Sequence, residues 1–170
     1  MICVCVCSTS VFIAKLWFQK VLHLLNYPRF VMKEELRRMG PFGKAFEMMD
    51  AVFIKRGSKQ IAMTSLIEAT KEAKVANSSI LLFPEGTRHM GDTFLPFKVG
   101  AFQAAVSAQV PLLPLVISNY YKNICQDMSE ESLVKVKVLQ PVQTDGLGDD
   151  DVSTLMEKCR DAMQETFNVL

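Results

Sequence analysis

The chain has 170 residues, 49% hydrophobic and 22% charged, with a formal net charge of +1. This length supports one domain that buries about 70% of its unfolded surface, and the composition excludes a disordered chain. The charge balance leaves no global field to attract nucleic acid, so any anion site must be local.

Five cysteines are present: Cys3, Cys5 and Cys7 alternate, while Cys125 and Cys159 stand alone. An odd count without Cys-x-x-Cys spacing argues against a disulfide framework and against a zinc site. Alternation puts the first three on one face of a strand as buried thiols, which fits a reducing, cytosol-facing location. Met1 to Ala14 is apolar, but Lys15 interrupts it. The run falls short of the roughly 18 to 20 apolar residues that span a bilayer. No positive segment precedes it, as a signal peptide would require. No full transmembrane helix is expected here, although exposed apolar surface could seat the domain on a membrane face.

Met1 to Cys7 reads as a strand or as substituted, unpatterned sequence. The spacing of Val11, Leu16, Trp17, Val21, Leu24 and Leu25 predicts a helix over 11–25, ended by Tyr27-Pro28. Phe30 to Met32 is a short strand, and Lys33-Glu34-Glu35-Leu36 opens a helical stretch. Met39 to Gly43 reads as a turn, followed by a short helix over 44–49. Ala51 to Ile54 is the next strand. Ser58 caps a helix to about Lys74. Asn77-Ser78 turns the chain into a strand at Ile80, and Gly91-Asp92 is a loop. Residues 98–109 are helical. Val110 to Ile117 is a buried strand with proline-marked ends, and Tyr120 to Glu131 is a polar connection. Leu133 to Leu139 alternates valine with lysine, as a half-exposed antiparallel or edge strand does. Asp149 to Asp151 suit the dipole of a final helix whose apolar stripe is Val152, Leu155, Met156, Cys159, Met163 and Phe167. Strands alternating with helices indicate a single α/β domain, with a mostly parallel or mixed sheet flanked by helices.

The chemistry concentrates in Ile80-Leu81-Leu82-Phe83-Pro84-Glu85-Gly86-Thr87-Arg88. Proline ends the strand because it cannot donate to the ladder. Gly86 lets the backbone take a positive φ or approach a ligand closely. Arg88 offers a planar fork suited to phosphate. An open α/β sheet places ligands beyond such strand ends. Arg56 follows another strand, so the two arginines could converge on one anion; taken alone, Lys55-Arg56 reads first as a solvated basic turn.

FPEGTR, with Leu95-Pro96-Phe97-Lys98-Val99-Gly100-Ala101-Phe102 after it, resembles the glycerophospholipid acyltransferase family, and within it the 1-acyl-sn-glycerol-3-phosphate (lysophosphatidate) acyltransferases. The likeness runs from about Pro28 to the C-terminus. It implies an acyltransferase-like fold, and transfer of an acyl group from acyl-CoA to 1-acyl-sn-glycerol-3-phosphate, giving phosphatidic acid. It implies that Glu85, Gly86, Thr87 and Arg88, as the third motif, hold the glycerol phosphate, and that Arg56 closes the second. Lys55 stands where that motif usually has an acid, and Asp50 where it commonly has a glycine. Lys98 falls in the family's Pro-Phe-Lys-x-Gly stretch, and reads equally as solvation of a helix start. Val110 to Val116 resembles the fourth motif and is expected to pack in the core. The resemblance implies acyl-CoA as a co-substrate with no bound cofactor or metal, a membrane-surface location on the cytosolic side of the endoplasmic reticulum, and no nucleic-acid partner.

The family's first motif is a histidine, any four residues, then an aspartate. The histidine acts as base on the acceptor hydroxyl and the aspartate orients it. The histidines here are His23 and His89; Pro28 and Phe94 stand where each would need the aspartate. His23 reads as a satisfied helix residue. His89 lies beside Arg88, which disfavours its protonated form. The motif belongs just before Val11, where the chain reads Cys7-Ser8-Thr9-Ser10. Residues 1–10 are therefore expected to be an atypical or replaced segment, and 11–170 a partial acyltransferase domain, N-terminally truncated or a non-catalytic variant. Two functions stay open: an acyltransferase, and a lysophospholipid-binding isoform without turnover.

Overall fold

The structure, a computed structural model, describes residues 1–7 (backbone alone from residue 3), 23, 25, 27–55, 57–87, 91–118 and 135–170. The predicted helix over 11–25, the connection over 120–131, and Arg56, Arg88 and His89 fall largely or wholly outside these residues. Among the described residues six strands form one sheet: β1 (Ile2–Cys7), β2 (Arg29–Lys33), β3 (Val52–Ile54), β4 (Ile80–Leu82), β5 (Leu112–Ile117) and β6 (Val136–Val138). Their order is β3-β2-β4-β1-β5-β6. Pairings among β1 to β5 are parallel, and β6 runs antiparallel on β5. The helices are α1 (Glu34–Arg37), α2 (Gly40–Met48), α3 (Lys59–Val75), α4 (Gly100–Ala108) and α5 (Val152–Val169). The chain is thus the expected mostly parallel α/β domain with one antiparallel edge strand.

β4 and β5 read as unbroken apolar runs because both faces of the sheet are covered. Ile80, Leu82, Leu112 and Val116 join the core beneath α3, α4 and α5, with Leu66, Ala69, Phe102, Met163 and Phe167. Leu81, Leu113, Leu115 and Ile117 point the other way, to a second cluster with Leu25 and Phe30. Alternation along each strand divides the residues between the two faces. Small side chains at Ala101, Ala104, Ala105 and Ala108 pack α4 into the first core. The final helix buries the predicted stripe of Val152, Leu155, Cys159, Met163 and Phe167. Burial pushes the Cys159 thiol up to about 11, so it stays neutral at physiological pH. The stability this thiol contributes is complete below its ordinary 9.0 and is lost as pH rises toward 11.

Three local readings change. Met39 to Gly43 is not a separate turn, because helix α2 begins at Gly40. Pro41 fits its first turn, where no amide donor is needed. Gly43 is buried against α1, and a Cβ there would meet the Arg37 backbone carbonyl. In β5, Pro114 lies inside the strand rather than marking its end. Leu115 pairs with Val138 and Leu112 with Val142, so three steps on β5 oppose four on the returning segment. That bulge takes up the missing amide of Pro114, whose carbonyl still accepts from Leu139 N at 3.0 Å. Finally, α4 starts at Gly100, which leaves Lys98 in the preceding loop.

Phe102 is 0% exposed and Ile61 59% exposed. Phe102→Ala is expected to cost about 3–5 kcal/mol in urea unfolding, against about 0.5 kcal/mol or less for Ile61→Ala.

Candidate functional site

Because β1 to β5 are parallel, their carboxyl ends share one edge of the sheet, where loops rather than strands must satisfy the backbone. β4 ends at Leu82, and Phe83 to Gly86 forms a tight turn in which Gly86 N donates to Phe83 O at 3.1 Å. Gly86 has φ +64°, the left-handed region that favours glycine. The turn is pinned from the loop that leads to α4. Lys98 N donates to Pro84 O at 2.8 Å. Leu95 N donates to Glu85 Oε2 at 2.9 Å.

Glu85 is 6% exposed. A carboxylate so placed needs polar partners to offset its desolvation, and the Leu95 amide is one. The Lys98 side chain crosses the bare face of Gly86, and a Cβ there would collide with its Nζ and Cε. Thr87 and Lys98 are exposed, so a hydroxyl and an ammonium reach solvent beside an exposed glycine. Together they form a small cationic shelf that can hydrogen-bond an oxyanion.

The structure brings Glu85, Gly86, Thr87 and Lys98 together; Arg56 and Arg88 lie outside the described residues. The strand ends that precede the two arginines are those of β3 and β4, which flank β2. Two strand spacings, about 10 Å, separate them. β1 pairs with β4 as far as Val4, opposite Leu82, and its last residues pair with β5, Cys7 opposite Ile117. His23 is exposed, with its ring 6.1 Å from that of Tyr27.

Sequence reasoning missed the support behind the loop. Arg160 Nη2 donates to Phe94 O at 3.0 Å, and Gln164 Oε1 accepts from Phe94 N at 2.7 Å. Gln164 Nε2 also donates to Asp92 O at 3.1 Å. The one visible signal is that Arg160 and Gln164 stand one helical turn apart on α5.

Glu85→Ala strands the Leu95 amide and is expected to cost about 1–3 kcal/mol in urea unfolding, with most of the loss recovered in Glu85→Gln, which keeps an acceptor oxygen. Gly86→Ala must hold a left-handed φ at about 1 kcal/mol and is expected to push the Lys98 side chain off the turn, readable in that amine's reactivity toward acylating reagents.

A family profile described as Acyltransferase matches residues 8–118. The chain is 36% identical over 139 residues to human 1-acyl-sn-glycerol-3-phosphate acyltransferase beta, covering 81% of this chain and 50% of that protein. It is 34% identical over 135 residues to the 1-acyl-sn-glycerol-3-phosphate acyltransferase of Salmonella typhimurium, covering 79% and 55%. The chain therefore spans about half the length of the curated relatives it matches. The crystal structure of the 1-acyl-sn-glycerophosphate acyltransferase PlsC from Thermotoga maritima superposes with a TM-score of 0.66 at 24% identity, over 97% of this chain and 65% of that one, and shares the fold. With a profile match over most of its length and the Glu-Gly-Thr turn at the carboxyl edge of a parallel sheet, this chain belongs to the acyltransferase family.

Proposed function

We propose that this chain is an acyltransferase domain acting in phospholipid biosynthesis, with 1-acyl-sn-glycerol-3-phosphate as acceptor, acyl-CoA as donor and phosphatidic acid as product. The observation that carries the reading is the Glu85-Gly86-Thr87 turn with Lys98 laid across its glycine, at the edge where a parallel sheet receives ligands. Relatives named for that acceptor support its identity. In this reading Lys98, Arg88 and Arg56 neutralise the phosphate, Thr87 bonds it, and Glu85 holds the turn. The acceptor hydroxyl attacks the thioester carbonyl, the C–S bond breaks and the CoA thiolate leaves, taking up the proton that the hydroxyl lost. No metal or bound cofactor enters these steps. The setting is the cytosolic face of the endoplasmic reticulum membrane; among the described residues no helix is long and apolar enough to cross a bilayer.

A second reading rests on one sequence observation. Neither histidine is followed five residues later by an aspartate; Pro28 and Phe94 stand there. Removing a general base costs about 10²–10⁴-fold in rate. For this chain we infer binding of lysophosphatidate with little or no transfer, as a non-catalytic isoform would show.

Calorimetry with 1-acyl-sn-glycerol-3-phosphate, beside a thiol assay for CoA release from acyl-CoA, separates the two. Binding with release establishes the enzyme, and binding without release the lipid-binding isoform. Arg88→Ala is expected to abolish binding; a variant that binds as the wild type does overturns the pocket.

A further inference from the structure

The loop that carries Lys98 is held from behind by a helix outside the span matched by the family profile. That match ends at residue 118, and α5 begins at Val152. Yet α5 takes both backbone groups of Phe94: Gln164 accepts from its amide at 2.7 Å, and Arg160 donates to its carbonyl at 3.0 Å. The Phe94 ring also packs on Phe167 of α5, centroids 4.9 Å apart. The next residue, Leu95, donates to Glu85, and Lys98 donates to Pro84 and covers Gly86. An unbroken chain of contacts therefore runs from α5 through the loop to the turn.

Docking of α5 does not depend on these polar groups. Its stripe of Leu155, Cys159, Met163 and Phe167 already buries it against the core. Arg160 and Gln164 instead direct their bonds to the backbone of another segment, 66 and 70 residues away in sequence. Removing them loosens the loop while leaving the helix in place.

We propose that Arg160 and Gln164 are positioning residues for the phosphate pocket: by fixing Phe94 they hold Lys98 against the Glu85–Thr87 turn, where both meet the lysophospholipid headgroup. The proposal rests on the functional reading given above. The test uses the full chain with Gln164→Met and Arg160→Met, which keep side-chain bulk, and Arg160→Lys, which keeps a donor.

Each variant is titrated with 1-acyl-sn-glycerol-3-phosphate and, separately, with acyl-CoA, and amide exchange is followed at Leu95 and Lys98. The methionine variants are expected to bind lysophosphatidate about tenfold more weakly, the scale of one lost charged or buried hydrogen bond. Acyl-CoA affinity is expected to hold within about twofold, exchange at Leu95 and Lys98 to accelerate, and Arg160→Lys to recover most of the loss. Equal weakening toward both ligands marks general destabilisation and overturns the proposal. Unchanged exchange at Leu95 in Gln164→Met overturns the brace itself. Wild-type chain that binds no lysophosphatidate overturns the functional reading beneath it, a failure separate from that of the brace.

Discussion

The buried Glu85 carboxylate, accepting from the Leu95 amide, is the constraint around which the site is arranged. A carboxylate nearly closed off from water is stable only when donors face it. A buried loop amide is equally costly when left unpaired. Each offsets the cost of the other, so the turn after β4 and the loop before α4 form one unit. The Lys98 amide on the Pro84 carbonyl adds a second tie. The Lys98 side chain lies across Gly86, a residue with none.

This unit sits where it does because of strand order. With β1 between β4 and β5, and β2 on the far side of β4, the turn occupies the middle of the carboxyl edge. On the opposite flank β6 pairs with β5 up to the bulge opposite Pro114, and pairing resumes between Leu112 and Val142.

Much of this was legible in sequence, for reasons that differ by element. β4, β5 and the stripe of α5 were readable because burial imposes period on side chains. Gly86 was readable because a left-handed φ selects glycine. Asp50, at a position where the resembling family commonly has glycine, takes φ +57°, so the substitution is absorbed by a short polar side chain that also pairs with Arg29 at 2.9 Å. Turn chemistry misled at Gly40-Pro41, because proline and glycine serve a helix's first turn as well as a reverse turn. Pro114 misled because a bulge on a neighbouring strand has no local signature. Arg160 and Gln164 offered only their one-turn spacing on α5, since a side chain bonding a distant backbone leaves no motif.

The separation of pocket and base follows from the same topology. The β4 turn and the loop before α4 are fixed to each other by hydrogen bonds that do not involve the end of β1. In the resembling family the proton acceptor belongs just before Val11, in a segment that follows β1, whose last residue Cys7 pairs with Ile117 of β5. In the proposed function, phosphate recognition and proton removal therefore draw on different segments of the chain. Replacing His-x4-Asp by other residues removes the driving group for hydroxyl attack but leaves the ties among Glu85, Leu95, Pro84 and Lys98 untouched. Under the proposed function, binding and turnover are then separable, and lysophosphatidate binding is the activity to test apart from transfer.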